Sequence, residues 1–182
     1  VVACGDSGVV VRSTDEGFTW TRINTGTTQF LADMWSPDAQ TVYCSGANGT
    51  IIKSVDAGLT WQDVSIIETE TFDGVHFLNP LRGMVVGGNK IYRTLNGGQT
   101  WELKNTDVQV NTSFSDVWVA NDTLAYAAGG FGKFYWTNDG GEAWEAIWPS
   151  VTSNAEIDEM VFINDTVGYF ARFNSQYFTL NG

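Results

Sequence analysis

Residues 13–20 read STDEGFTW, and the same eight-residue pattern returns at 54–61 (SVDAGLTW), 94–101 (TLNGGQTW) and 137–144 (TNDGGEAW). A fifth copy begins with TLNG at 179–182. The first residues of consecutive copies are 41, 40, 43 and 42 positions apart. A repeat of about 40–45 residues is typical of propellers built from four-stranded blades. The spacing therefore predicts an all-β fold of repeated, radially arranged antiparallel sheets.

Each octet has the composition of a tight turn. Its Asp or Asn can accept hydrogen bonds from backbone N–H groups of the same turn, and its fifth residue, Gly, permits a positive φ. Its Trp is expected to open the next strand and to hold the turn against the sheet. We therefore assign the octet residues a structural rather than a catalytic role. They are Ser13, Asp15, Gly17, Trp20, Ser54, Asp56, Gly58, Trp61, Thr94, Asn96, Gly98, Trp101, Thr137, Asp139, Gly141 and Trp144.

The rest of each repeat reads as strands, here called A to D from the inside of the blade outwards. Strand C precedes each octet and strand D follows it. Strand A is predicted at 31–35, 72–77, 114–119 and 157–163, and strand B at 1–4, 41–44, 83–86, 124–128 and 167–171. The chain thus begins in strand B and ends in strand C, which gives three complete blades and a partial blade at each end.

These boundaries make residues 1–182 a single propeller domain with repeats at about 1–29, 30–71, 72–113, 114–155 and 156–182. The two partial blades both contain strands B and C, so they cannot merge into one regular blade. Because an open ring leaves sheet edges bare, a longer parent protein with a ring of six or seven blades is expected. A five-bladed ring with irregular closure is the alternative.

The octet resembles the Asp-box, or BNR repeat, whose pattern is S-x-D-x-G-x-T-W. The first two octets match it fully, the third has Thr and Asn at the Ser and Asp positions, and the fourth has Thr for Ser and Ala for the second Thr. The segments VHFLNP (75–80), GMVVGG (83–88) and IYRTLNGGQTW (91–101) are most similar to photosystem II assembly-factor-like (YCF-type) propellers. The resemblance covers the whole chain and implies that the octets lie on the blade periphery, on the face opposite the ligand site.

Composition narrows the classes of ligand. Twenty-one acidic residues against nine Lys and Arg give a net charge of −12, which disfavours nucleic acid and anionic membrane surfaces. No apolar run approaches the ~20 residues of a membrane-spanning helix, so no membrane insertion is expected. Cations, basic proteins and neutral ligands such as glycans remain as partners. Cys4 and Cys44 are expected to be buried free thiols, and His76, the one histidine, to pack or to line the channel.

One set of acidic residues recurs at a single repeat position. Alignment of the A strands places Asp33, Gly74, Asp116 and Glu159 together, with Asp73 and Asp158 beside them. In a propeller these residues lie near the mouth of the central channel, so we predict that the five carboxylates form a binding site. They could attract a basic partner segment or coordinate calcium, although no cofactor is otherwise indicated. A solvated acidic rim without function is the alternative.

Catalysis is not predicted. A sialidase needs three arginines and an Arg-Ile-Pro signature, but Arg22-Ile23 is followed by Asn24, and Arg22, Arg82 and Arg172 are scattered over different strands and turns. A xyloglucanase-like hydrolase needs two facing carboxylates, which the many acids leave open as an alternative. The sequence favours a non-catalytic binding or scaffold propeller that engages a protein or glycan through the face opposite the octets. A structural component of a larger extracellular or viral particle is a further alternative, and an extracytoplasmic, secreted or virion-surface location is favoured over the cytoplasm.

Overall fold

The computed structural model describes residues 1–104, 113–147, 157–164, 167–172 and 178–181. These residues form five antiparallel sheets that follow one another along the chain, and no α-helix occurs among them. Three short 3₁₀ turns, Asp6–Gly8, Ala47–Gly49 and Gly130–Gly132, join strands within sheets. The all-β prediction is confirmed. No helix in the described ranges has the length and apolar character needed to cross a membrane.

Three sheets have four strands and the two outermost in sequence have three. The first sheet contains β1 (Val2–Cys4), β2 (Val10–Arg12) and β3 (Thr21–Ile23). The second contains β4 (Leu31–Trp35), β5 (Val42–Gly46), β6 (Ile51–Ser54) and β7 (Gln62–Asp63). The third contains β8 (Gly74–Phe77), β9 (Gly83–Gly87), β10 (Lys90–Thr94) and β11 (Glu102–Leu103). The fourth contains β12 (Phe114–Val119), β13 (Ala125–Gly129), β14 (Phe134–Thr137) and β15 (Glu145–Ile147), and the fifth contains β16 (Ile157–Asn164), β17 (Val167–Arg172) and β18 (Phe178–Asn181).

Each strand pairs with its sequence neighbour, so every sheet is a simple meander. In the first sheet the three strands occupy the predicted positions B, C and D, and in the fifth they occupy A, B and C. The A strands β4, β8, β12 and β16 form the inner edge of their sheets and lie beside one another in that order. The sheets therefore have the radial arrangement that the repeat predicted.

Apolar side chains fill the space between consecutive sheets. There are four clusters of buried apolar residues, and each one packs two consecutive sheets together, from the first and second to the fourth and fifth. The second of these stacks Tyr43 of β5 on Phe77 of β8 with ring centroids 3.5 Å apart. Cys4 and Cys44 are free thiols that belong to the cluster between the first two sheets. Burial of alternate strand residues against the next sheet is the main stabilising contribution in such an arrangement.

The octets are the turns between strands C and D, as the second one illustrates. The Ser54 hydroxyl donates to Asp56 Oδ1 (2.7 Å) and accepts from the Gly58 N–H (2.8 Å), while Asp56 Oδ1 accepts from the Thr60 N–H (2.8 Å). The other three octets repeat these bonds, and the four glycines at the fifth position have φ between 85° and 94°. Hydrogen bonds from Thr60, and from Thr19 in the first octet, lower the pKa of Asp56 and Asp15 to about 2. Each octet is therefore a tight turn held by hydrogen bonds among its own residues.

The octet tryptophans differ from the prediction in one respect. Strand D begins one residue after each Trp, and the indoles of Trp61, Trp101 and Trp144 pack toward the preceding sheet instead of joining the strand. Trp101 Nε1 donates to the Val64 carbonyl of the second sheet at 3.0 Å. Trp144 is buried against the third sheet, whereas Trp20 remains 44% exposed. Each octet from the second onward is therefore a contact between neighbouring sheets as well as a turn.

Candidate functional site

All five predicted acidic residues line one cavity of about 400 Å³ beside the inner strands. We call it the acidic cavity, and Asp33, Asp73, Asp116, Asp158 and Glu159 are its carboxylates. Its other walls come from the same four A strands and include Trp35, His76, Ser115 and Trp118. No Lys or Arg is among its lining residues in the described part of the chain. A concave site with one sign of charge concentrates a field on any ligand that enters it.

The strand register places this cavity at the end of the sheets opposite the octets. Asp33 pairs with Ser45, next to the turn between β5 and β6, whereas Val42 pairs with Ser54 at the start of the second octet. The octet also touches the turn between β4 and β5, where the Ala57 N–H donates to the Gln40 carbonyl at 2.8 Å. The expected separation of octets and acidic residues on opposite ends is therefore present.

Asp33 and Asp116 do more than line the cavity, because each joins two inner strands. Asp33 Oδ1 accepts from the Met34 N–H (2.7 Å) and its Oδ2 from the Val75 N–H of the next sheet (2.8 Å). Asp116 makes the same pair of bonds with the Val117 N–H (2.7 Å) and the Met160 N–H of the fifth sheet (2.5 Å). These two aspartates are thus bridges between neighbouring sheets.

A β-bulge directs these side chains toward the next strand. The pairing register shifts between Leu31 and Asp33, and the same shift occurs before Asp116 and before Glu159. A bulge bends its strand and re-aims the following side chain. In the third sheet Gly74 replaces the acid, because a Cβ there would lie 2.8 Å from Asp116 Cα. The absence of an acid at this repeat position is therefore a steric requirement of the adjacent strand.

The remaining carboxylates, Asp73, Asp158 and Glu159, are exposed at the rim of the acidic cavity. No hydrogen bond or ion pair connects the side chain of Asp158 or of Glu159 to another described residue. Glu159 nevertheless lies close enough to Asp33 and Asp116 to repel both. The rim thus offers two carboxylates whose oxygens are available to a ligand.

Burial and like charge change the acidity of the two bridging aspartates. Desolvation, opposed by the two backbone N–H bonds and reinforced by Glu159, raises the pKa of Asp33 to about 6. Desolvation, together with repulsion from Asp33 and Glu159, raises the pKa of Asp116 to about 7. Such shifts follow when carboxylates share a partly buried site without a cation between them. The sequence prediction that these residues converge is supported by this mutual repulsion.

An aromatic cluster lies two residues after the acidic repeat position on the inner strands. His76 lies against Trp35 and Trp118, with ring centroids 4.0 Å and 4.1 Å away. The His76 side chain is buried, and desolvation lowers its pKa to about 3, so the ring is neutral. Its Nδ1 accepts from the Val119 N–H at 3.1 Å. The predicted packing role of His76 is confirmed. The contribution of Trp35 and Trp118 to the cavity wall was not predicted. Their shared repeat position with His76 was the signal in the sequence that could have indicated it.

The donor set does not fit a calcium ion. In the ranges the structure describes, no three Asp, Glu, His or Cys side chains are close enough to hold a metal together. Calcium takes six to eight oxygen ligands, more than the described residues bring together here. The described residues therefore do not support the calcium prediction. The arginines considered for a sialidase site are also apart, with Arg22 on β3, Arg82 paired to Asp122 and Arg172 on β17.

Comparison with solved structures identifies the architecture. YCF48 bound to a D1 peptide matches with 19% identity over 86% of this chain and 66% of that chain, with a TM-score of 0.63. The GH74 xyloglucanase from Xanthomonas campestris matches with 13% identity over 97% and 33% of the two chains (TM-score 0.70). The WD40 β-propeller domain of Doa1 matches with 12% identity over 99% and 60% (TM-score 0.74). The chain has a β-propeller fold.

These similarities concern the fold alone, since identity is low in every case. The chain spans just under two thirds of the YCF48 chain and one third of the xyloglucanase. No protein-family model matches the sequence. No curated protein matches it either. The propeller neighbours include a peptide-bound protein and an enzyme, so the function has to be argued from the site.

Proposed function

We propose that this chain is a non-catalytic binding propeller whose acidic cavity receives a positively charged segment of a partner protein. The observation that carries the proposal is that five carboxylates line one concave site whose described lining residues include no Lys or Arg. Burial is the main cause of the raised pKa of Asp33 and Asp116 and repulsion among the carboxylates adds to it, so a cation entering the site would favour their charged forms. We further propose that the octets are Asp-boxes, with the structural role that this assignment implies.

A protein segment suits the site better than a neutral glycan. Complementary charge guides association and gives specificity, and a neutral ligand would leave the repulsion among the carboxylates in place. The peptide bound to YCF48 is a precedent for this class of ligand on a propeller of similar fold. The half-buried rings of Trp35 and Trp118 also line the cavity, and aromatic rings attract cations.

The experiment compares two fluorescent peptides of about ten residues, one rich in Lys and Arg and the other built from Gly and Ser. The basic peptide should bind, and its affinity should fall as salt is raised, because exposed charges are screened. The double substitution Asp158→Asn, Glu159→Gln removes two of the three rim carboxylates without touching either bridge. We expect it to weaken binding about tenfold, which corresponds to ~1.4 kcal/mol.

The matched control is Glu16→Gln, Glu145→Gln, which removes the same charge from exposed positions in the first octet and on β15. It should leave affinity nearly unchanged. Equal weakening by the two double variants would mean that the peptide responds to net charge alone, and the proposal would be wrong. Thermal unfolding of both variants checks that neither perturbs the fold.

A glycoside hydrolase is the second candidate, favoured by one observation besides the xyloglucanase neighbour. Asp116, with a pKa raised to about 7, faces ionisable carboxylates across the same cavity, and glycosidases use an acid and a carboxylate in this way. Against it, both Asp116 oxygens already accept backbone N–H groups. Incubation with xyloglucan oligosaccharides decides between the two. Turnover that Asp116→Asn abolishes would establish the enzyme and displace the binding proposal.

A further inference from the structure

One buried polar atom beside the acidic cavity has no partner. His76 Nε2 makes no hydrogen bond with any described residue, although the side chain is only 5% exposed. Its Nδ1 accepts the Val119 N–H, so in the neutral ring the proton must be on Nε2. Nε2–H is therefore a donor without an acceptor. A buried donor in this state is unfavourable because it has lost its hydrogen bond to water, and an acceptor from a ligand would remove that penalty.

The carboxylates of the same cavity are hydrogen-bond acceptors, whereas His76 Nε2–H is a donor. Each oxygen of Asp33 and of Asp116 accepts one backbone N–H, and a carboxylate has about four acceptor positions in all. Two acceptor positions therefore remain on each residue, in addition to those of Glu159. The cavity combines several acceptors for a cation with one neutral donor on the adjoining strand.

This combination distinguishes among cationic groups. The ammonium of Lys and the guanidinium of Arg are donors only, so neither can satisfy His76 Nε2–H. The first residue of a peptide chain carries a cationic α-ammonium and a carbonyl oxygen on adjacent atoms of its backbone. It therefore supplies both the cation and the acceptor within the space of one residue.

We propose that the acidic cavity binds the free N-terminus of a partner peptide, with the α-ammonium attracted by the negative charge of Asp33, Asp116 and Glu159 and the first carbonyl oxygen accepting from His76 Nε2–H. The inference rests on the proposed function and makes it specific. The half-buried indoles of Trp35 and Trp118 flank the His76 ring with centroids 4.0 Å and 4.1 Å away, so the proposal requires one of them to move aside for the carbonyl. The neutrality of His76 is essential, because an imidazolium would repel the ammonium.

The test uses three small probes: glycylglycinamide, its N-acetylated form, which lacks the charge, and n-butylammonium, which lacks the carbonyl. Glycylglycinamide should bind at least tenfold more tightly than either. His76 is the single histidine of the chain, so its imidazole nitrogens give one assignable pair of ¹⁵N resonances. We expect the Nε2 resonance to shift when glycylglycinamide saturates the protein and to stay unchanged with n-butylammonium.

The outcomes separate the inference from the function on which it rests. If n-butylammonium binds as tightly as glycylglycinamide, or if Nε2 does not respond to bound glycylglycinamide, N-terminus recognition is wrong while cation binding stands. Equal binding of the acetylated probe, or no binding by any probe, overturns both. His76→Phe should retain n-butylammonium affinity and lose the preference for glycylglycinamide. Should His76→Phe fail to fold, the resonance of the unmodified protein decides alone.

Discussion

Alanine substitution of two equivalent glycines measures how much an octet contributes as a contact between sheets. Gly17 and Gly58 occupy the fifth position of the first and second octets, with φ of 94° and 85°. A Cβ on Gly58 would lie 3.0 Å from Val2 Cγ2 on the first sheet, whereas on Gly17 its nearest neighbour is its own Trp20 at 3.6 Å. The two sites therefore share the backbone strain and differ in the contact.

The expected magnitudes follow from these two terms. A left-handed conformation costs an L-residue about 1–2 kcal/mol, so Gly17→Ala should lower the free energy of unfolding by that amount. Gly58→Ala carries the same strain and adds an overpacked contact with Val2, which costs a further ~1 kcal/mol or more. For a chain of this length each kcal/mol lowers Tm by about 2–4 °C. Gly58→Val, with a branched side chain at the same φ, should be more destabilising than Gly58→Ala.

Urea unfolding of the three variants measures these differences. Gly5→Ala is the control for glycine replacement itself, because Gly5 is extended (φ 179°) and its Cβ would meet nothing within 4 Å. Since the octets lie at the opposite end of the sheets from the acidic cavity, peptide affinity of the folded variants should not change. Equal losses for Gly17→Ala and Gly58→Ala would refute the claim that the second octet is a contact between sheets. Lost affinity at full stability would show that the octet itself recognises the ligand.

Two further predictions concern backbone strain and pH. Ala57 has a positive φ of 58°, whereas the third and fourth octets have Gly at the corresponding position. Ala57→Gly should therefore raise the free energy of unfolding, measured with urea, by about 0.5–1 kcal/mol. A lower free energy of unfolding would mean that the added chain entropy of Gly outweighs the relieved strain. The pKa values of Asp33 and Asp116 in the folded chain are above their unfolded value of 3.8, so between pH 4 and 7 the folded chain binds more protons than the unfolded chain. The free energy of unfolding should therefore fall as pH rises through this range, by at most about 1.4 kcal/mol per pH unit for each group. Asp116→Asn should reduce that slope in Tm measured from pH 4 to 8, and an unchanged slope would contradict the pKa assignment.

The sequence was sufficient for the repeat, the strands and the octet turns, because each depends on local composition. β4 and β12 coincide with the predicted A strands, whereas β8 begins at Gly74, two residues later than predicted. Convergence of the acidic residues was also predictable, since equivalent positions on the inner strands of a propeller approach a common axis.

The bridging role of Asp33 and Asp116 could not be predicted. It depends on a bulge that shifts the register before each aspartate, and nothing in the residue types around Ala32 or Ser115 distinguishes a bulged strand from a regular one. The unpartnered Nε2 of His76 could not be predicted from the sequence either. Sequence comparison gave the residue a packing position, but its tautomer depends on a hydrogen bond from Val119 in another sheet.

The two roles of the inner aspartates explain why a binding site can be located where the sheets meet. A carboxylate that accepts an N–H from the next sheet fixes the spacing of the inner strands, and its partial burial raises the free energy of its charged form. At neutral pH the same groups therefore hold the strands together and repel one another. A cation between them lowers the repulsion without breaking either bridge, because each carboxylate oxygen retains a free acceptor position. Ligand binding and inter-sheet cohesion thus favour the same arrangement, so a bound cation should stabilise the fold most at a pH where both aspartates are ionised.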